Sequence, residues 1–316
     1  MRRREFLAGA AALAFAPDAL ASALGGTPTA LVTADLESHV VAVEITTARR
    51  LREIETLAGP RSIERVGNAA VVGHTEEGAV SIIDGATLRV RRVIGGFTEP
   101  RYAVALPDER HALVSDSGTG ELFVLDAQRG RIVGRASLGG QARHLSFDAR
   151  SRRATVALGN KAERVAIVDL RSPTRPRLIR RFAPPFLAHD VGVFADGRTW
   201  VTSGAARELA LYRRGRLVAR IAGDAPPQHV TFAGGRAFVT SGDDGLLRVY
   251  SAATGRLIAT SRIPTGSYNV QHAWGGRVLM PSLSRGTLCI ADARGRVLRQ
   301  VDVAQSSHDA CFVLSA

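Results

Sequence analysis

One short pattern returns seven times along the 316-residue chain, roughly every 40 residues, and this repeat restricts the fold more than any other feature. Clear copies read RHALVSDSGTGELFVLDAQRGRIV from Arg110, RTWVTSGAARELALYRRGRLV from Arg198 and RAFVTSGDDGLLRVYSAATGRLI from Arg236. Each copy holds three strand-like stretches separated by Gly/Ser/Asp turns. A fourth apolar stretch, such as HVTFAGG from His229, leads into the next copy. Four short strands in about 40–45 residues describe one blade of a propeller. A blade cannot bury both faces alone, so it must stack on neighbours. The expected fold is all-β: a seven-bladed β-propeller with four antiparallel strands per blade. The first repeat supplies only three strands, from Thr29, His39 and Arg50, while HDACFVLSA from His308 is an inner strand with nothing after it. That last strand is expected to complete the first blade and close the ring, leaving no free edge.

The N-terminus has a different character. Arg2, Arg3 and Arg4 precede Glu5-Phe6-Leu7, an apolar run from Ala8 to Ala16, and the small residues Ala21-Ser22-Ala23. This is the order of a signal peptide, with cleavage expected after Ala23. Arg3-Arg4-Glu5-Phe6-Leu7 resembles the core of a twin-arginine signal, with Arg2 where that pattern usually has Ser or Thr. The domain division is therefore 1–23 as signal and 24–316 as propeller. The mature chain is expected in the periplasm or outside the cell, as a monomer. No later stretch approaches the ~20 apolar residues of a membrane span. No cysteine follows the apolar run, so a lipid anchor has no support. Twin-arginine export carries folded proteins, which permits a cofactor loaded before export without requiring one.

The net charge is +13, and Lys161 is the single lysine, so arginine carries almost all of the positive charge. Arg89, Arg131, Arg177, Arg216, Arg256 and Arg296 recur where outer strands begin, a way of charging sheet edges. The same charge would attract an anionic small molecule or an envelope protein. Nucleic acid is not expected, because no recognition motif accompanies the charge. Asp84, Asp126, Asp169 and Asp292 each end a third strand and read as turn formers, accepting hydrogen bonds from nearby amides. Cys289 and Cys311 fall in strands that are not expected to be neighbours, which favours packed thiols over a disulfide.

The stretches ALVSDSGTGELFVLD, TWVTSGAARELALY and AFVTSGDDGLLRVYSAATGRLI resemble the YVTN repeats of YncE-like seven-bladed propellers, over nearly all of the mature chain. The resemblance implies the fold. It leaves function open, because that superfamily includes binding proteins, lactonases, lyases and relatives of the haem domain of cytochrome cd-type nitrite reductases.

Residues at the starts of inner strands gather near the mouth of a propeller's central channel. Around the ring these are Arg61, Arg101, Arg143 with His144, His189, His229, Asn269 with Tyr268, and His308. Three readings stay open. In the first, these polar groups hydrogen-bond neighbouring blades or channel water. In the second, they bind an anionic small ligand, since arginine holds carboxylate or phosphate through paired bonds. In the third, His189, His229 and His308 hold a transition metal or a haem-type cofactor, since neutral imidazole suits Zn, Cu and Fe. No cofactor is indicated more specifically than that. A metal-dependent, haem-dependent, lactonase-like or lyase-like enzyme remains the alternative to a binding module. There is no GxSxG elbow, HExxH helix or phosphate loop. Ser307-His308-Asp309 is no catalytic triad, because adjacent strand residues point to opposite faces.

Overall fold

The computed structural model describes residues 25–316. The signal segment expected over 1–23 lies outside the described residues. The chain forms seven antiparallel four-stranded sheets arranged as the blades of a propeller. Strands are named here inner, second, third and outer, from the axis outward. Blades 2 to 7 take their inner strands at Pro60–Val66, Pro100–Ala105, Leu145–Asp148, Val191–Val193, Val230–Ala233 and Gln271–His272. Blade 1 is a composite. Its second, third and outer strands are Thr27–Ala34, His39–Glu44 and Arg50–Glu55, and its inner strand is the C-terminal Ala310–Ser315. The closing pair is antiparallel, with Thr27 opposite Ser315 and Val32 opposite Ala310. The ring closes as the repeat count required.

The alternation of the second and third strands produces the core. Both faces of each of these strands are buried, because both lie against another blade. The apolar side chains divide into seven clusters, one at each interface between adjacent blades. The cluster across the closing interface joins Val32, Val41 and Val43 of blade 1 to Leu279, Leu288 and Ile290 of blade 7. Cys289 and Cys311 are buried free thiols in two different clusters, as the strand order implied.

Hydroxyls stitch successive blades near the axis. Thr75 Oγ1 donates to the Pro100 carbonyl and Ser117 Oγ to the Ala142 carbonyl, each at 2.8 Å. Thr33, Thr202 and Thr240 likewise donate to the carbonyls of Arg61, Gln228 and Tyr268. Each bond runs from one blade to the start of the next inner strand, so the starts of the inner strands are held in fixed positions.

Turn chemistry follows the sequence. Asp84 Oδ1 accepts from the Thr87 amide and hydroxyl, and Asp292 Oδ1 accepts from the Arg294 and Arg296 amides. Asp126 and Asp169 cap their turns in the same way, through the amides of Arg129 and Arg171. Gly286 sits at φ +61 in the turn between second and third strands, where an added Cβ would fall 1.8 Å from the Ala304 carbonyl oxygen. Gly120 is its counterpart in blade 3, 2.8 Å from the Gly140 oxygen.

The outer strands are the exposed edges, and two devices blunt them. All seven third-to-outer pairs carry a register shift. Such bulges raise local twist and spoil edge-to-edge pairing. Arginines then cover the edges and reach across blades: Arg91 donates to the Ala127 carbonyl and Arg181 to the Leu138 carbonyl. Much of the chain's basic charge is thus spent on its own architecture.

Removal of residues 308–316 should lower the thermal midpoint by more than ~10 °C, because it opens the ring rather than trimming a tail. Calorimetry of the truncated protein tests this, and an unchanged midpoint would contradict the closure. A second prediction concerns Asp126, which is 1% exposed. Burial pushes its carboxyl upward, but the Arg110 guanidinium and the Arg129 amide outweigh that and hold its pKa at about 2, below the ordinary 3.8. A depressed acid contributes stability above its unfolded pKa and loses it as pH falls through the folded value. Asp126→Asn should therefore cost roughly 2–4 °C at pH 7, with the deficit shrinking as the pH falls from 4 toward 2. A deficit independent of pH would assign the effect to packing instead.

Candidate functional site

The inner strands do not all begin in the register that their spacing suggests. Matching hydrogen bonds place Arg143, His189 and Gln228 at one equivalent position, and His144, Asp190 and His229 at the next. Strand pairing extends these two rings. The first runs Arg61, Arg101, Arg143, His189, Gln228, Tyr268 and His308. The second runs Ser62, Tyr102, His144, Asp190, His229, Asn269 and Asp309. His229 and Asn269 therefore stand one residue deeper than His189 and His308. In blades 2 and 3 a bulge at Arg61 and at Arg101 offsets the register there.

These two rings converge. The rings of His144 and His189 are 4.8 Å apart, those of His144 and His229 4.6 Å, and those of His189 and His229 5.1 Å. One ring nitrogen from each of the three lies within 4.8 Å of the others. Tyr102 stacks on His144 at 4.2 Å. It belongs to the site but was missed in the sequence, because Arg101 beside it drew the reading of that position.

The three histidines are held differently. His229 Nδ1 lies 3.5 Å from Asp190 Oδ2. Asp190 is fixed in turn, accepting from the Val191 amide at 2.7 Å and from the Val230 amide of the next blade at 2.9 Å. The backbone carbonyl of Asn160 faces the His189 ring. His144 is only 2% exposed, and neither of its ring nitrogens has a hydrogen-bond partner among the described residues.

His308 takes another role. Its Nδ1 donates to the Arg61 carbonyl at 2.9 Å, and Asn269 Nδ2 donates to the His308 carbonyl at 2.7 Å. The His308 and Tyr102 ring centres are 6.3 Å apart, and His308 is not among the three imidazoles whose nitrogens converge. The imidazoles that come together are thus His144, His189 and His229, with His144 where spacing alone pointed to His308. Tyr268 turns away from this group, and its hydroxyl donates to Asp243 at 2.7 Å. His74 and Asp116, which share this face, are structural. His74 binds the Ala58 carbonyl and Ser81, and Asp116 accepts from the Thr98, Glu99 and Thr119 amides.

Electrostatics follow from crowding like groups in a dry place. Burial, then His229 and His189, then Arg143, push His144 well below the usual histidine range. Burial and His229 bring His189 down to about 4. Burial and Arg61 lower His308 strongly. These three imidazoles are therefore neutral at pH 7. Burial, helped by Arg143 and Arg61, also lowers Arg101. The guanidinium Nε atoms of Arg61, Arg101 and Arg143 are all buried without an acceptor among the described residues. Below the histidines, a cavity of about 810 Å³ runs from Tyr102, His144 and His229 toward Phe147, Phe194 and Phe232. Glu64 lines it, and burial with the nearby Asp309 raises its pKa to about 8, so it is neutral at pH 7.

No protein-family model matches the sequence, and no curated protein matches it. Among solved structures, a protein of unknown function from Desulfotomaculum acetoxidans superposes with a TM-score of 0.78 at 9% identity, covering 91% of this chain and 99% of that one. Kuenenia stuttgartiensis hydrazine synthase gives 0.74 at 15% identity, covering 84% and 92%. At such identities the likeness concerns the fold alone: the chain is a seven-bladed β-propeller with these as structural neighbours.

The roles of Asp190 and His189 separate by experiment. Asp190→Ala leaves the buried Val230 amide unpaired and should lower the thermal midpoint by about 3–8 °C. His189→Ala removes one contact, to the Asn160 carbonyl, bridges no two blades, and should change it by under ~3 °C. A large loss in His189→Ala would make that residue architectural.

Proposed function

We propose that this chain is an exported, YncE-like binding propeller whose axial mouth takes a small oxyanion, a carboxylate or phosphate compound. The export signal and the YVTN-like repeats support the location and family reading, and the fold is consistent with a binding module. One observation carries the ligand class: Arg61, Arg101 and Arg143, on three consecutive blades, each bury an Nε–H with no acceptor among the described residues. A buried donor left unpaired costs about 1–3 kcal/mol, and more when it is charged. Three at one mouth are a standing cost that an anion would remove. Burial and the charges of Arg143 and Arg61 already weaken the hold of Arg101 on its proton. Glu99, 3.9 Å from Arg101, is too distant and too exposed to neutralise the three. Two guanidiniums can grip one oxyanion through parallel N–H bonds, and the third sets its position. Several other arginines are engaged in turns and blade contacts, as Arg110 is with Asp126, Arg171 with Asp169 and Arg91 with the Ala127 carbonyl; Arg236 also buries an unpaired Nε, but at the start of a second strand in blade 6.

Titration of inorganic phosphate and of citrate, followed by calorimetry, tests the reading. Either anion should raise the midpoint of the native protein. In Arg101→Gln/Arg143→Gln that response should weaken at least tenfold, while the ligand-free midpoint stays level or rises because like charges have been removed. Equal anion responses in native and variant protein would refute the site.

A further inference from the structure

We infer that His144, His189 and His229 form a binding site for one late first-row transition-metal ion, with copper(II) the tightest of the series. This inference stands on different residues from the oxyanion reading and does not depend on it.

His144 is the strongest indication. A neutral imidazole has one donor and one acceptor, and burying both without partners is unfavourable. Here both nitrogens are buried and unpartnered among the described residues, in a ring that is 2% exposed. Packing does not require a histidine at this place. The equivalent position holds Ser62, Tyr102, Asp190, Asn269 or Asp309 in other blades, and the two aspartates satisfy themselves on backbone amides. The two nearest side chains of its own kind, His189 and His229, each bring a nitrogen to the same point.

The geometry is near what a metal needs. Nitrogens within 4.8 Å of one another lie at most about 2.8 Å from their common centre, against metal–nitrogen bonds of about 2.0–2.1 Å. An inward movement of about 0.7 Å per ring closes the site, and the adjoining cavity gives the rings room to turn. Asp190 beside His229 Nδ1 supplies the outer carboxylate that orients a ligating imidazole and leaves Nε2 to the metal. Asp190 is itself locked by two amides, so its position is fixed before any ion arrives.

The donor set selects the ion. Three neutral nitrogens and no thiolate or carboxylate in the inner set suit Cu, Ni, Co and Zn, and reject Ca and Mg, which take oxygen. Affinity along that series peaks at copper. Three protein ligands leave a further coordination position open, the arrangement of sites that exchange a ligand rather than lock the fold. The nearby guanidiniums oppose a cation.

The full mature chain, freed of metal with a chelator, is to be titrated with copper(II) and separately with zinc(II) by equilibrium dialysis. The electron paramagnetic resonance of the copper form gives the nitrogen count. One equivalent of copper should bind, with hyperfine structure from three imidazole nitrogens. His144→Ala and His189→Ala should each weaken binding by roughly 100-fold or more. His39→Ala, a histidine away from the cluster, should retain it. Binding that survives His144→Ala, or a spectrum with fewer than three nitrogens, would overturn the assignment. The spectrum of the unsubstituted protein decides the matter even if a variant fails to fold. Loss of phosphate response in the arginine variants with copper binding intact would separate this site from the oxyanion site.

Discussion

The whole molecule depends on the inability of a four-stranded blade to bury two apolar faces by itself. Each of the seven clusters belongs to a pair of blades and to neither alone. An open array would leave two such faces in water. Pairing of Thr27–Ala34 with Ala310–Ser315 removes both ends at once, so the first and last parts of the chain share one sheet. The stability of every interface is tied to that closure, since in a closed ring no interface can open without straining another.

Closure also creates the site. Seven inner strands directed at one axis bring residues from distant parts of the chain within a few ångströms, with no local motif to announce it. The inner strands are short here, only three residues in blade 5 and two in blade 7. Backbone groups near the axis therefore lack ladder partners and are satisfied by side chains instead. Asp190 and Asp309 do this in the same way, each accepting from its own following amide and from an amide of the next blade. Where a blade carries His144 or His229 in that position, the bridging role is given up and the ring turns to the axis. His144 and His229 are thus departures from the bridging scheme that the two aspartates keep.

The architecture was legible because it is periodic. Turn aspartates and turn glycines are local patterns repeated many times, so errors at one copy are corrected by the others, and the returning C-terminal strand follows from a first repeat one strand short and a last strand left over. The site was legible only in part, because it is where the copies differ. Spacing drew attention to His189, His229 and His308 together, yet His229 lies one ring deeper than the other two, and a one-residue offset in a strand changes what a side chain faces. The bulges at Arg61 and Arg101 are likewise invisible in spacing. Tyr102 stands directly after Arg101, whose charge draws the reading of that position, while His144 is read at the mouth beside Arg143 but not among the metal ligands. What the sequence lacked was the channel radius, which decides whether polar residues on different blades touch.

The two kinds of charge at the mouth have a joint consequence. Arg61, Arg101 and Arg143 make the axis hostile to a cation and attractive to an anion, while the neutral imidazoles offer lone pairs to a metal. An anion seated among the arginines would cancel the repulsion felt by an ion among the histidines, and the reverse holds equally. Coupling between two sites is reciprocal in free energy, so whichever ligand binds first strengthens the second by the same factor. Opposite charges held near one another in a partly buried mouth attract, so the sign of that coupling is favourable. A propeller mouth built in this way would hold a metal and an anion together more tightly than either alone. That cooperation needs no moving part, only the fixed convergence that ring closure imposes.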